Sequence, residues 1–138
     1  MAEAMLCSFD SANFEATSAG AVCGRLHPLT VEVMKEIGID LEQKTLRSVQ
    51  EVRDEEFDYV ITLGECPPSY DRTFRCAEVV HWKFGNPEAI SNDPQKQLLE
   101  FRIVRDQILQ RLRLFTLVHT RPRTARATAS LKMAQTAR

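Results

Sequence analysis

The sequence has no apolar run near the ~20 residues that a membrane-spanning helix requires. Its first residues include Glu3 and Asp10 where a secretory signal would place basic residues before an apolar stretch. No membrane association is expected, and the cytoplasm is the default location. Metal-ligand spacing is missing too: Cys7, Cys23, Cys66 and Cys76 form no Cys-x2-Cys pair, and the three histidines do not cluster with them. Neither a structural zinc nor any other cofactor is therefore expected, and in a reducing compartment the thiols should be free. There is no internal repeat. Acidic residues stop before the last stretch, leaving Arg121, Arg123, Arg126, Lys132 and Arg138 without acidic company after Phe115.

What is present suits one globular domain: 138 residues, 43% apolar and 27% charged, which argues against disorder and against a disulfide scaffold. A net charge of −1 hides an asymmetry, because the five basic residues after Phe115 leave a body with 13 basic and 19 acidic residues, a net −6. That body repels nucleic-acid phosphates while the tail attracts them, yet the tail has no aromatic residue on which a base would stack, which weighs against a nucleic-acid partner. Residues 1–115 read as the domain and residues 116–138 as a basic, disordered tail.

Met1 to about Phe9 reads as a helix rich in good helix formers, and Asn13 to Thr17 as a short strand closed by a Ser18-Ala19-Gly20 turn. His27-Pro28 opens a helix with Leu29, Val33 and Ile37 on one face, and Gly38 ends it in the left-handed position that residues with a Cβ resist. Ser48 and Glu51 form a capping box for a short helix running to about Asp54. Phe57 to Leu63 is β-branched, aromatic and finally continuously apolar, as a parallel strand covered on both faces should be. The Pro67-Pro68 stretch is loop, Ala77 to Trp82 a strand, and Phe84 to Pro87 a turn. In the helix from Gln95 to Phe115, the residues Leu98, Phe101, Val104, Ile108, Leu112 and Phe115 recur at spacings of three and four. Strands alternating with helices imply an α/β fold with a parallel sheet.

Several of these segments form an ordered set: Met1-Ala2-Glu3-Ala4, Ser18-Ala19-Gly20, His27-Pro28-Leu29-Thr30, Glu36 to Leu41, Asp58 to Leu63, His81 to Phe84 with Asn86-Pro87, and Phe101 to Ile108. Together they resemble the low-molecular-weight phosphatase family, and most closely its thioredoxin- or mycothiol-coupled arsenate reductase branch. The resemblance covers roughly residues 1–115. It implies a three-layer αβα fold, and an arsenate or phosphate-ester substrate attacked by a thiolate in a phosphate loop of the form Cys-x5-Arg-Ser. Such a loop lowers the pKa of its thiol and cradles the oxyanion with backbone N–H groups at a helix N-terminus.

In the family, that loop and the strand before it directly precede the segment resembling Met1-Ala2-Glu3-Ala4, and here neither does. The expectation is a chain whose start lies downstream of the family's own, since Met1 matches a methionine carried internally by its members; a start further upstream would restore the loop. No nucleophile is assigned, and the 138 residues are expected to be inactive. The resemblance also places the general acid, an aspartate, where this chain has Asn86, and an amide cannot donate the proton. Asp93-Pro94 offers a displaced Asp-Pro pair, but reads better as a helix cap. Gly64 stands where the reductase branch has its first relay cysteine, which leaves Cys66 and Cys76 as the candidate redox thiols.

The absent strand would lie in mid-sheet, between the strands resembling Asn13–Thr17 and Phe57–Leu63, so two facing edges are expected to be unpaired, inviting a homo-oligomer. Two further readings remain open, a non-catalytic binding or regulatory module of the same fold, and a nucleic-acid-associated protein working through the tail.

Overall fold

The computed structural model describes residues 1–21, 24–65, 73–90 and 93–120, together with the backbone of 129–135. In chain order the elements are α1 (Ala2–Asp10), β1 (Phe14–Gly20), α2 (Pro28–Lys35), β2 (Arg47–Ser48), α3 (Val49–Val52), β3 (Glu56–Leu63), β4 (Arg75–Trp82), α4 (Pro94–His119) and β5 (Ala129–Gln135). The five strands form one sheet in the order β2-β1-β5-β3-β4, and every pairing is parallel.

The apolar periodicities have become two clusters. Leu6 of α1, Val33 and Met34 of α2, and Phe101, Ile108 and Leu112 of α4 are buried with Ile61 and Leu63 of β3. Val49 and Val52 of α3 pack with Ala19, Phe57, Val60 and Phe74 in a second cluster. Helices therefore cover the sheet in two separate layers, the αβα arrangement expected.

Local signals explain the helix ends. His27 precedes Pro28 at the start of α2 and its Nδ1 accepts from the Leu29 amide at 3.2 Å, while its ring stacks on Phe101. Gly38 adopts φ 79°, and the amides of Gly38 and Ile39 return to the carbonyls of Lys35 and Met34. This closes the helix as the glycine predicted. Ser48 caps α3 through the Glu51 amide, and Asp93 caps α4 through the Gln95 amide at 3.0 Å, so the Asp93-Pro94 pair does serve as a helix start.

Some expectations need correction. The face α2 buries is Thr30, Val33 and Met34; Ile37 lies beyond the helix and is exposed. Ser18-Ala19-Gly20 is the end of β1 rather than a turn, because Ala19 and Gly20 pair with β2 while Ser18 and Ala19 pair with β5, and ladder bonds on both sides outweigh small-residue turn propensity. The helix α4 passes the expected boundary at Phe115 and ends at His119. Most consequential is the tail, since residues 129–135 are not disordered: they form β5, inserted between β1 and β3. The two facing edges expected to be bare are both paired, β1 from Phe14 to Ala19 and β3 from Tyr59 to Leu63. Unpaired N–H and C=O groups on two neighbouring edges provide a hydrogen-bonding reward for a segment whose own strand pattern is weak.

Candidate functional site

In an open parallel sheet, the loops leaving the C-terminal ends of the strands form the ligand crevice. At that end of β1 the Ser18 amide donates to Glu3 Oε2 at 2.8 Å, and the Ser18 hydroxyl donates to the same oxygen. The Lys44 ammonium pairs with Glu3 Oε1. One carboxylate in the first turn of α1 thus ties that helix to β1 and to the stretch before β2. The sequence holds the hint, since the Met1–Ala4 and Ser18–Gly20 segments are both part of the resemblance, but nothing in the spacing shows that Glu3 and Ser18 bond to each other. An open groove of about 400 Å³ lies beside this knot, bordered by Arg25, Leu41, Glu42 and Lys44.

At the neighbouring strand ends, the buried Thr62 hydroxyl shares a 2.7 Å hydrogen bond with His81 Nδ1, across the register pair that joins β3 to β4. Gly64 follows β3 with φ 94°, and its amide donates to the Trp82 carbonyl at 2.8 Å. A left-handed backbone favours glycine, so a cysteine here would be strained. Asn86 lies in the loop after β4, exposed, with its side-chain oxygen accepting from the Glu88 amide at 3.0 Å. At the position where the resemblance implies a proton donor, the amide organises a turn.

Of the two candidate redox thiols, only Cys76 lies among the described residues. Cys76 is half-buried near the start of β4, in register with Phe57, and packs on the cluster of Phe57, Val60 and Phe74. It therefore sits at the opposite end of β4 from Trp82. Cys66 and Cys23 lie outside the described residues. Cys7 is an exposed residue of α1, but partial burial of its thiol and the nearby Glu3 carboxylate push its pKa up, which suppresses the thiolate. Among the described residues no group of three His, Cys, Asp or Glu side chains could hold a metal ion.

One spacing is missed by the sequence reading above: Cys66 is followed after five residues by Arg72 and Thr73, which is a Cys-x5-Arg-Thr run. Its setting differs from that of a phosphate loop. The run follows the C-terminal end of β3 and is succeeded by Phe74 and the N-terminal end of β4, with no helix beginning after it. Because β3 and β4 are parallel, Glu65 and Thr73 flank opposite ends of the sheet. A cradle needs the thiol and the first turn of a helix at one strand end, so that converging amides face the anion.

A second polar knot clamps α2 to α4. Arg105 is buried, and donates to the Val33 carbonyl at 2.8 Å, to Glu36 Oε2 at 2.9 Å and to Asp106 Oδ1 at 2.8 Å. Arg102 grips both oxygens of Glu36. The Arg102 and Arg105 hydrogen bonds hold the Glu36 carboxyl below its ordinary pKa. Sequence alone makes Arg105-Asp106 look like solvated helix charge, and the structure shows instead a desolvated guanidinium at a helix seam.

The parallel sheet, with helices packed on it in two layers, defines the class of open α/β domains. The family model for low molecular weight phosphotyrosine protein phosphatases matches residues 1–121, and the chain belongs to this family. It is 33% identical over 99 residues to an arsenate reductase of Halalkalibacterium halodurans, covering 71% of each chain. It is 29% identical over 114 residues to a glutaredoxin arsenate reductase of Synechocystis, covering 81% of this chain and 82% of the other. Among solved structures, an arsenate reductase in its phosphate-binding state aligns with TM-score 0.69 at 26% identity, over 85% of this chain and 86% of the other.

Proposed function

We propose that this chain is an arsenate reductase scaffold of the low-molecular-weight phosphatase family whose 138 residues hold no working oxyanion centre. The observation that carries this reading is the occupancy of the sheet. β5 fills the slot between β1 and β3, where the resemblance places the loop-bearing strand, and the one Cys-x5-Arg-Thr run leads into β4 instead of into a helix. Without a thiolate facing converging amides, a tetrahedral anion is neither bound nor attacked.

With a strand and Cys-x5-Arg-Ser loop supplied ahead of Met1 and taking the slot that β5 fills here, the scaffold is suited to arsenate reduction, with electrons from a thioredoxin, mycothiol or glutaredoxin type of thiol partner. The arsenate and glutaredoxin in the names of the relatives support this choice over a phosphotyrosine substrate. Such chemistry runs where thiols are kept reduced, so the reading includes a cytoplasmic location.

The test assays the purified polypeptide for arsenate-dependent oxidation of reduced thioredoxin, mycothiol or glutaredoxin, and for hydrolysis of an aryl phosphate. No turnover above a protein-free control is expected. Turnover that Cys66→Ser abolishes would assign the nucleophile to the Cys66–Thr73 run and overturn the proposal.

A further inference from the structure

The helix α4 buries one side, carrying Phe101, Val104, Ile108, Leu112 and Phe115, in the larger apolar cluster. Its other side is not the uniformly polar one that an amphipathic helix ordinarily shows to water. Leu99, Ile103, Leu114, Leu117 and Val118 are 52%, 41%, 62%, 78% and 77% exposed. At 3.6 residues per turn, all five fall within about a third of the helix circumference. Large apolar side chains gathered on one strip mark an interaction surface, whereas scattered ones would need no explanation.

The order of residues along this strip says what covers it. From the N-terminal end it runs apolar at Leu99 and Ile103, acidic at Asp106, amide at Gln107 and Gln110, basic at Arg113, and apolar again at Leu114, Leu117 and Val118. The second half repeats the first in reverse, with the charge inverted. Such a strip is its own complement when a second α4 lies against it antiparallel. Leu99 then faces Val118 of the other copy, Ile103 faces Leu114, and Gln107 faces Gln110. Asp106 and Arg113 share one flank of the strip, and a twofold axis across the helices sets like flanks together, so each Asp106 meets the Arg113 of the other copy. The Asp106 side chain is 57% exposed, with Oδ1 engaged by Arg105, while Arg113 has no ion-pair partner among the described residues. A parallel alignment would instead set Asp106 against Asp106 and Arg113 against Arg113.

We propose that this chain forms a twofold dimer through the outer face of α4, with the two helices antiparallel. The occupant is a second copy because apolar ends and an acid-to-base reversal about one midpoint are what an isologous contact requires, each residue pair occurring twice. The contact runs for about 28 Å between Leu99 and Val118. One helix face per copy is a small area for a specific interface, so the dimer is weak and reversible. Every residue it uses belongs to α4, β5 stays in the slot of its own chain, and the inference stands whether or not the chain turns over an oxyanion.

Sedimentation of the unmodified 138-residue chain across a concentration series should show a monomer–dimer equilibrium. Ile103→Glu and Leu114→Glu, tested separately because both positions are exposed, should each raise the dimer dissociation constant at least tenfold while leaving the far-ultraviolet circular dichroism unchanged. Arg113→Glu places acid against Asp106 and should weaken the dimer as well, more at low salt than at high. For the orientation, chains carrying Glu100→Cys and chains carrying Val118→Cys are mixed and treated with a short bis-maleimide, and the linked peptides are mapped by mass spectrometry. Links from position 100 of one chain to position 118 of the other should dominate. A chain that stays monomeric across the series, a dimer indifferent to both Ile103→Glu and Leu114→Glu, or links joining 100 to 100 and 118 to 118 would each overturn the proposal.

Discussion

A guanidinium placed in a seam between helices is costly unless its donors find acceptors, and Arg105 finds three, on Val33, Glu36 and Asp106. Arg105→Met keeps the apolar stem but orphans the Val33 carbonyl, and should cost about 1–3 kcal/mol of unfolding free energy in urea titrations. The pH dependence follows from Glu36, whose pKa is lowered in the folded state, first by the Arg102 hydrogen bond. Its contribution is complete above the ordinary glutamate value of about 4.3 and is lost as pH falls through the lower folded value. Stability should therefore decline on acidification, and Glu36→Gln should flatten that acid limb without steepening the neutral region. Arg105 was illegible in the sequence because a charged residue beside Val104 reads equally well as helix surface; only the packing of α2 against α4 shows which side of the seam it occupies.

Elements with a strong local period were the legible ones. The apolar face of α4, from Phe101 through Phe115, is buried as its spacing predicts, and β3 begins one residue before the expected strand. Caps were legible for the same reason, since a capping side chain bonds within a few residues of itself. Asp93 is the clearest case, and Asp93→Ala should cost about 1 kcal/mol, read as a lower denaturation midpoint with an unchanged slope. What escaped is what depends on distant partners. β2 is two residues long and exists only through Ala19 and Gly20. β5 has a weak apolar pattern, and its strand character comes from edges more than sixty residues away in the chain.

At the scale of the whole molecule, the slot between β1 and β3 is filled by a strand from far along the sequence, and the site is where sequence and fold part company. Gly64 and Asn86 were legible in the sequence as departures from the family's pattern, while the Glu3–Ser18–Lys44 knot at the head of α1 emerged only from the folded chain. The Cys66–Thr73 spacing was present in the letters all along, yet its meaning turns on the strand that follows it. If the slot is filled by β5 and no helix N-terminus receives a Cys-x5-Arg run, the domain should have no pocket for a tetrahedral anion. Calorimetric titration of the full chain with arsenate measures this directly. The account predicts heats no larger than those of dilution across the titration; a saturable isotherm with one site per chain would contradict it.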